Sequence, residues 1–473
     1  MGENVLTGIG GLDLLVGGGF PSGSLILLAG NPGTGKTVFS AHFIYRGIVD
    51  YGENGVYVSF AESRKAFLRN MLGFGFNFDE LERQGRFRFL DMTTMKEEGV
   101  SAALDLILNE VHRLGAKRLV IDSFSAMAQA FEKPIDVRVA VHLVLSRLVR
   151  QLGCTTLIIV EVPMGSERVG VDVEEFVADG IIMLRRDEVE GRLIRKIEVL
   201  KLRGRRLKDH RHVFTLKGGF RVFPRFALKE IGKPRPFKPL PDTPTHFSTG
   251  MIELDEALGG GYPRGSIVLL EVDDNVPRGG VSSILNPVRL NFINNGNGVF
   301  SIPSAGLSAD YVREGLESYA DKRFFNRNVR IVEFGEESQE PYIIALRGRS
   351  IMDDYEKLWG HIRAFKAETG KTVLGTIGYD TLEYTYPDDP ATLIQQMVET
   401  AKRVRVSGDL RINIVRLAMK ITPHARYISD MHFKLVEIDG SLCLYGLKPR
   451  TGIYNIEVDV KEGYPKTKLT PII

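Results

Sequence analysis

Two hydrophobic spacings alternate along the first half of the chain. Ser24–Ala29 is apolar almost throughout and of strand length, whereas Val38–Val49 places Phe39, Phe43 and Ile44 at helical spacing. Gly55–Phe60 then reads as a strand, Arg64–Leu72 as a short helix and Arg86–Leu90 as a strand. Val100–Leu114 reads as a helix with Leu104, Ile107, Leu108 and Val111 on one face. Arg118–Asp122 and Thr155–Val160 are again strand-like, with a long amphipathic helix predicted over Ile135–Leu152 between them. Such alternation predicts an α/β fold, a mainly parallel sheet covered by helices. Ligands of such sheets bind at the carboxyl ends of the strands.

The opening pattern returns. Thr7-Gly8, Leu12-Asp13, Gly17-Gly18-Gly19, Pro21 and Gly23-Ser24 recur at Thr249-Gly250, Leu254-Asp255, Gly259-Gly260-Gly261, Pro263 and Gly265-Ser266, at a constant offset of 242. Twelve of the 23 residues from Thr7 to Ala29 equal their counterparts, which predicts two copies of one fold. Between the copies, Phe223–Thr245 contains Pro224, Pro234, Pro236, Pro239, Pro241 and Pro244. That density excludes a regular helix or central strand and predicts an extended, semi-rigid linker. The expected organisation is a first domain over 1–225, a linker over 226–245 and a second domain over 246–473.

Between the first strand and its helix stands Gly30-Asn31-Pro32-Gly33-Thr34-Gly35-Lys36-Thr37, which fits G-x-x-x-x-G-K-[ST]. Strand, glycine loop and helix are the context in which this pattern cradles phosphate. Glycines let successive backbone N–H groups face a polyanion, and the helix start at Val38 adds a positive dipole end. Lys36 is expected to reach the β- and γ-phosphates, and the Thr37 hydroxyl to bind Mg²⁺. Asp122 ends its apolar strand, where a carboxylate holds Mg²⁺ beside such a loop. Glu62 follows the neighbouring strand and is the candidate to orient or deprotonate an attacking water. Lys201 and Arg203 lie in Leu200-Lys201-Leu202-Arg203-Gly204, at the end of a segment with eleven Lys or Arg residues from Arg185 to Arg211. That segment reads either as a solvated hairpin face or as cations directed at a phosphate.

The second copy differs where the chemistry sits. At the offset of 242, Gly30 becomes Val272, Gly33 becomes Asn275, Gly35 becomes Pro277, Lys36 becomes Arg278 and Thr37 becomes Gly279. Pro277 has no N–H to donate, and Glu271, Asp273 and Asp274 are expected where phosphates would sit. The second domain is therefore expected to serve assembly or partner binding.

Composition changes little. With 43% hydrophobic and 26% charged residues the chain is expected to be globular, and a net charge of +3 does not point to nucleic acid or an acidic membrane. Two distant cysteines, Cys154 and Cys443, argue for a reducing, cytoplasmic setting, and no apolar run reaches membrane-spanning length.

The stretches T-G-I-x-x-L-D…G-G-G-x-P-x-G-S, GNPGTGKT, the Val120–Ser123 strand end, Glu174–Asp179 and LKLRG together resemble the RecA-like ATPases of the KaiC family. The resemblance covers the first domain almost throughout and the second weakly. There Gly298-Val299-Phe300 matches Gly55-Val56-Tyr57, which would put Ala305 at the place of Glu62, and Leu447-Lys448-Pro449-Arg450 looks like a remnant of LKLRG.

The resemblance implies two RecA-like domains and hexameric rings. It also implies ATP and Mg²⁺ between subunits, with Lys201 and Arg203 reaching a neighbour's γ-phosphate. Where the family carries two glutamates, this chain has Ala61-Glu62. The positions matching the clock kinase's phosphorylated Ser and Thr are Glu175 and Phe176 in the first domain, as in the family's non-phosphorylated half, so protein-kinase activity is not expected. Two alternatives stay open at this stage. One is a recombinase-like nucleic-acid binder using the loop Pro163–Asp172 with Arg168. The other is a scaffold with ATP as structural glue.

Overall fold

The apolar run ahead of the glycine loop forms the fully buried strand Leu25–Gly30, and Lys36–Tyr51 is the helix that leaves the loop. The computed structural model describes residues 4–94, 100–128, 151–163, 178–207, 209–304 and 306–473. The helix predicted over Ile135–Leu152, the loop with Arg168 and the positions Glu175 and Phe176 lie outside them or nearly so. The chain forms two compact units, Met1–Arg225 with Pro471–Ile473, and Phe226–Thr470.

In the first unit Leu25–Gly30 lies at the centre of a nine-stranded sheet. On one side run Thr155–Glu161, Arg118–Asp122, Gly55–Ser59 and Phe87–Asp91, all parallel. On the other, Gly180–Val189 is parallel to it, and Arg192–Leu202, Arg211–Thr215 and Arg221–Val222 continue antiparallel. Hydrophobic residues pack on both faces, as a parallel sheet requires. Ile26, Leu28, Tyr57 and Val120 meet Phe39, Phe43 and Ile44 on one face, and Leu27, Val58, Leu119 and Ile158 meet Ile107 and Val111 on the other.

The basic segment is the hairpin of Gly180–Val189 and Arg192–Leu202. Several of its cations are paired, Arg185 with Glu198 at 3.1 Å and Lys196 with Asp187 at 3.2 Å.

The second unit repeats the order of strands around Ile267–Val272. Leu410–Arg416, Val373–Gly378, Gly298–Ile302 and Val329–Phe334 follow on one side, then an added parallel edge strand, Ile343–Leu346. Met431–Ile438 and Ser441–Lys448 lie on the other. The proline-rich stretch 226–240 forms no helix or strand and lies against this unit. Phe237 is buried, its N–H donates to Tyr319 O at 2.8 Å, and Leu240 N donates to Asn291 Oδ1 at 2.7 Å.

Strand register corrects two readings of the second copy. Leu27 pairs with Ile158, which pairs with Ile121, which pairs with Val58; Leu269 pairs with Asn413, Asn413 with Ile377, and Ile377 with Ile302. Gly55 therefore corresponds to Val299 rather than Gly298, Tyr57 to Ser301 and Asp122 to Gly378. A slip of one residue turns every side chain to the opposite face of the sheet, and the faces agree: Val299 packs with the helix Arg278–Asn294, whereas Phe300 packs on the other side. The stretch corresponding to Phe60–Glu62 is Ser304–Gly306, which contains no acid, and Ala305 itself is outside the described residues.

The second correction concerns Glu271, which does not face a phosphate position. It is buried, and Arg426 and His432 bond its carboxylate at 2.7–2.9 Å. Burial alone would push its pKa up, but the hydrogen bonds from His432 and Arg426 outweigh it and hold the group at about 2.

Candidate functional site

The carboxyl edge of the first sheet gathers the candidate residues. Gly33 and Gly35 take left-handed backbone angles, φ 76° and 101°, which favour glycine, and let the loop turn back on itself. A Cβ on Gly30 would come within 2.6 Å of Leu184 O, so the neighbouring strand also requires glycine there. Asn31 pins the loop to the next strand's end, its Nδ2 donating to Val162 O at 2.9 Å and Pro163 O at 3.1 Å. The Thr34 hydroxyl donates to Asn31 O at 2.8 Å. Pro32 sits in the exposed part of the loop, and Val38 is buried in the first turn of the helix.

Lys36 lies back across this loop. Its Nζ donates to Gly30 O at 2.8 Å and Asn31 O at 2.9 Å, and the side chain is buried. Burial lowers its pKa, opposed by the charges of Glu161 and Asp122. At the next residue, the Thr37 hydroxyl donates to Asp122 Oδ2 at 3.1 Å. Tyr57 donates to the same oxygen at 2.6 Å, while burial pushes the Asp122 carboxyl up. A hydroxyl and a carboxylate side by side are hard oxygen donors of the kind Mg²⁺ takes, so Thr37 and Asp122 fit that ion.

Glu62 belongs to the same edge. It is half-buried, its N–H donates to Ser59 Oγ at 2.9 Å, and Asn70 Nδ2 donates to its Oε1 at 2.6 Å. Burial raises its pKa, and the charge of Asp122 acts in the same direction.

Lys201 and Arg203 do not join this cluster. Leu202 pairs with Gly180, and Gly180 with Ile26, at the start of the strand whose far end is the loop. At ~3.3 Å per residue the two cations stand roughly 13 Å of strand from Gly30, at the opposite edge of the sheet. Arg203 is exposed there, with Asp179 Oδ1 at 3.3 Å.

Sequence reasoning missed three participants. Tyr57 orients Asp122, Asn70 holds Glu62, and Arg195 donates to Gly33 O at 3.1 Å and to Ile473 O at 2.6 Å. For Tyr57 a signal existed, since its register beside Asp122 follows from adjacent strands. For Arg195 and Asn70 none did.

A glycine loop between a central parallel strand and its helix, beside a strand-end aspartate, defines a P-loop unit of RecA type. The model of the KaiC ATPase family matches residues 5–225, and that of GvpD basic region 2 matches 236–333. The UPF0273 protein of Methanocaldococcus jannaschii is 34% identical over 245 residues, covering 48% of this chain and 99% of that protein. That of Aeropyrum pernix is 36% identical over 248 residues, covering 49% and 98%. The circadian clock oscillator protein KaiC of Thermostichus vulcanus is 33% identical over 282 residues, and the match spans 51% of that protein, about half its length. The crystal structure of a KaiC-like protein from Pyrococcus horikoshii is 36% identical, covering 47% of this chain and all of that one, with a TM-score of 0.44. The chain belongs to the KaiC-like family of RecA-type ATPases. Among the described residues no helix is long and apolar enough to cross a membrane.

Proposed function

We propose that the first unit binds Mg-ATP and hydrolyses it at the contact between two copies of the chain. The observation that carries this reading is the separation of two sets of groups on one sheet. The loop, Thr37, Asp122 and Glu62 share one edge, whereas Lys201 and Arg203 stand at the other. Within one chain the cations are out of reach of the loop. In a head-to-tail ring of copies, each far edge meets the next copy's loop.

On this reading Gly30–Thr37 wraps the phosphates with backbone N–H groups, and Lys36 exchanges its two carbonyl acceptors for phosphate oxygens. Thr37 and Asp122 hold Mg²⁺, which neutralises charge on the β- and γ-phosphates when bound. Glu62 accepts a proton from the attacking water or aligns it, and its raised pKa brings it nearer to the working pH of a base. The neighbour's Lys201 and Arg203 stabilise charge on the transferred group, which makes turnover depend on assembly. The second unit lacks the loop's glycines, its lysine and the Asp122 position, and serves as an assembly or partner-binding partner domain.

The test compares nucleotide binding and phosphate release in two variants. Lys36→Ala is expected to abolish ATP binding. Glu62→Gln is expected to keep binding and lose turnover by about 10²–10⁴-fold. Undiminished binding in the first, or undiminished turnover in the second, contradicts the assignment.

A further inference from the structure

The second unit contains a cavity of about 280 Å³ beside its altered loop, between the helices Arg278–Asn294 and Ala309–Glu317. Two aromatic positions of the first unit carry smaller residues at the matched places here. In the first unit the Tyr57 and Phe67 rings pack with centroids 4.5 Å apart. Register puts Ser301 at the place of Tyr57. Phe67 stands four residues beyond the helix cap Ser63, and Val312 stands four beyond the cap Ser308. A hydroxymethyl and an isopropyl group replace two aromatic rings; Val312 lines the cavity, and the Ser301 hydroxyl lies 2.8 Å from Thr376 Oγ1, the acceptor of Arg289.

Arg289 projects from the helix into the wall of this cavity and is 5% exposed. Its Nε and Nη2 donate to Thr376 Oγ1 at 3.2 and 2.8 Å, and Nη1 donates to Asn286 Oδ1 at 3.3 Å. A guanidinium carries five N–H donors, so these contacts leave donor capacity toward the cavity. Among the described residues no carboxylate pairs with Arg289, and burial pulls its pKa down to about 10. A buried, unpaired charge is costly, and an anion in the cavity removes that cost.

Further cations stand around the cavity. Arg416 lines the cavity where register puts Glu161 in the first unit, so an acid beside the loop has become a base. Arg416 Nε lies 3.5 Å from Asp380, which also accepts from Ser304 Oγ at 2.6 Å, and its Nη1 lies 3.9 Å from the exposed Asp274. Arg278 and Lys229 add positive charge at the rim against one acid, the exposed Glu314. The remaining wall is largely apolar, with Leu285, Val312 and Ile414 deep and Leu228 over the mouth.

We infer that this cavity binds a small organic anion, with Arg289 as the buried anchor for a carboxylate or phosphate group and the apolar wall holding the rest of the molecule. The phosphate-loop place has thus become an amphipathic anion pocket in the second unit.

The test is calorimetric titration of the full chain with octanoate and with its neutral counterpart 1-octanol. Phenyl phosphate is titrated into a Lys36→Ala background, which removes the first unit's loop from the measurement. Octanoate is expected to bind once per chain and at least about tenfold more tightly than octanol, the scale of a charge-assisted hydrogen bond. Arg289→Met is expected to bring the two probes to equal affinity. Val312→Phe, which restores a ring without touching the anchor, is expected to weaken both. Tighter binding of phenyl phosphate assigns a phosphate ligand, and tighter binding of octanoate a carboxylate. Equal affinity for octanoate and octanol in the unaltered chain, octanoate binding unchanged in both variants, or no binding of octanoate or phenyl phosphate overturns the inference.

Discussion

The two units share a frame and differ in what the frame holds. Thr7 donates to Asp13 through its N–H and its hydroxyl, both at 2.8 Å, and Thr249 donates to Asp255 in the same way at 2.8 and 2.7 Å. Leu25 N donates to Asp179, and Ile267 N to Asp430, at matched places on the central strands. Each unit also buries an arginine at the helix that follows the loop, Arg118 from the sheet and Arg289 from the helix itself. Arg118 meets Glu53 at 2.6 Å, donates to Phe43 O and Leu6 O, and lies over the Phe43 ring. Arg289 has hydroxyl and amide partners but, among the described residues, no acid. The two copies share the polar clips that fix the fold and differ in the residues of the loop. A fold of this kind depends on its clips and packing, and its site is free to diverge.

The sharpest way to break that contrast is to remove each arginine. Arg118→Met leaves Glu53 without its partner and the Phe43 and Leu6 carbonyls without their arginine donor, and is expected to cost about 3–5 kcal/mol in denaturant unfolding of the first unit. Arg289→Met, with no counter-ion to strand, is expected to be near neutral or stabilising without ligand. Equal losses in the two variants contradict the reading of Arg289 as an unpaired charge.

The shared clips give the converse. Asp13→Ala removes the acceptor of the Thr7 N–H and hydroxyl, and Asp255→Ala removes that of the Thr249 N–H and the Ser248 hydroxyl, each at a cost of about 1–3 kcal/mol in its own unit. A large loss in one unit and none in the other shows that the repeat is not equivalent in energy.

A smaller effect distinguishes the first unit by pH. His42 is buried, and its Nδ1 accepts from Phe220 N at 3.0 Å, which requires the neutral ring. Burial lowers its pKa from 6.5 to about 4. The folded state binds this proton less readily than the unfolded chain, so the contribution is complete above the unfolded value and is lost as pH falls from 6.5 toward 4. At pH 5 the loss is roughly 2 kcal/mol. Unfolding of His42→Gln followed between pH 7 and 4 is expected to lack this component, and an unchanged acid slope contradicts the assignment.

How much of this was legible in the sequence follows from where the offset of 242 holds. It runs unbroken from Thr7 through the loop, so the repeat, the strand before the loop and the change of Lys36 to Arg278 could all be read directly. Past the loop the offset grows, from 242 at Leu27–Leu269 to 244 at Gly55–Val299. The three-letter match Gly298-Val299-Phe300 hid that step, because a slip of one residue preserves composition and reverses facing. The exchange of Tyr57 for Ser301 depends on facing and stayed invisible. Glu271 misled for the same reason: it follows Leu270 in sequence but points to the other side of the sheet, toward Arg426 and His432. The cations of LKLRG were found as a motif, yet only strand pairing shows that they stand at the edge away from their own loop.

That placement gives the most direct test, a mixing experiment between two variants that are each expected to be inactive. Lys36→Ala has no working loop but an intact Arg203, and Arg203→Ala has an intact loop but no cation to offer. In an equal mixture, roughly one contact in four joins an intact loop to an intact neighbouring Arg203 in a head-to-tail ring. Phosphate release is expected to recover to about a quarter of the unaltered protein's rate, from near zero in either variant alone. If Arg203→Ala alone hydrolyses ATP at the full rate, or the mixture stays as inactive as its components, hydrolysis between copies is contradicted.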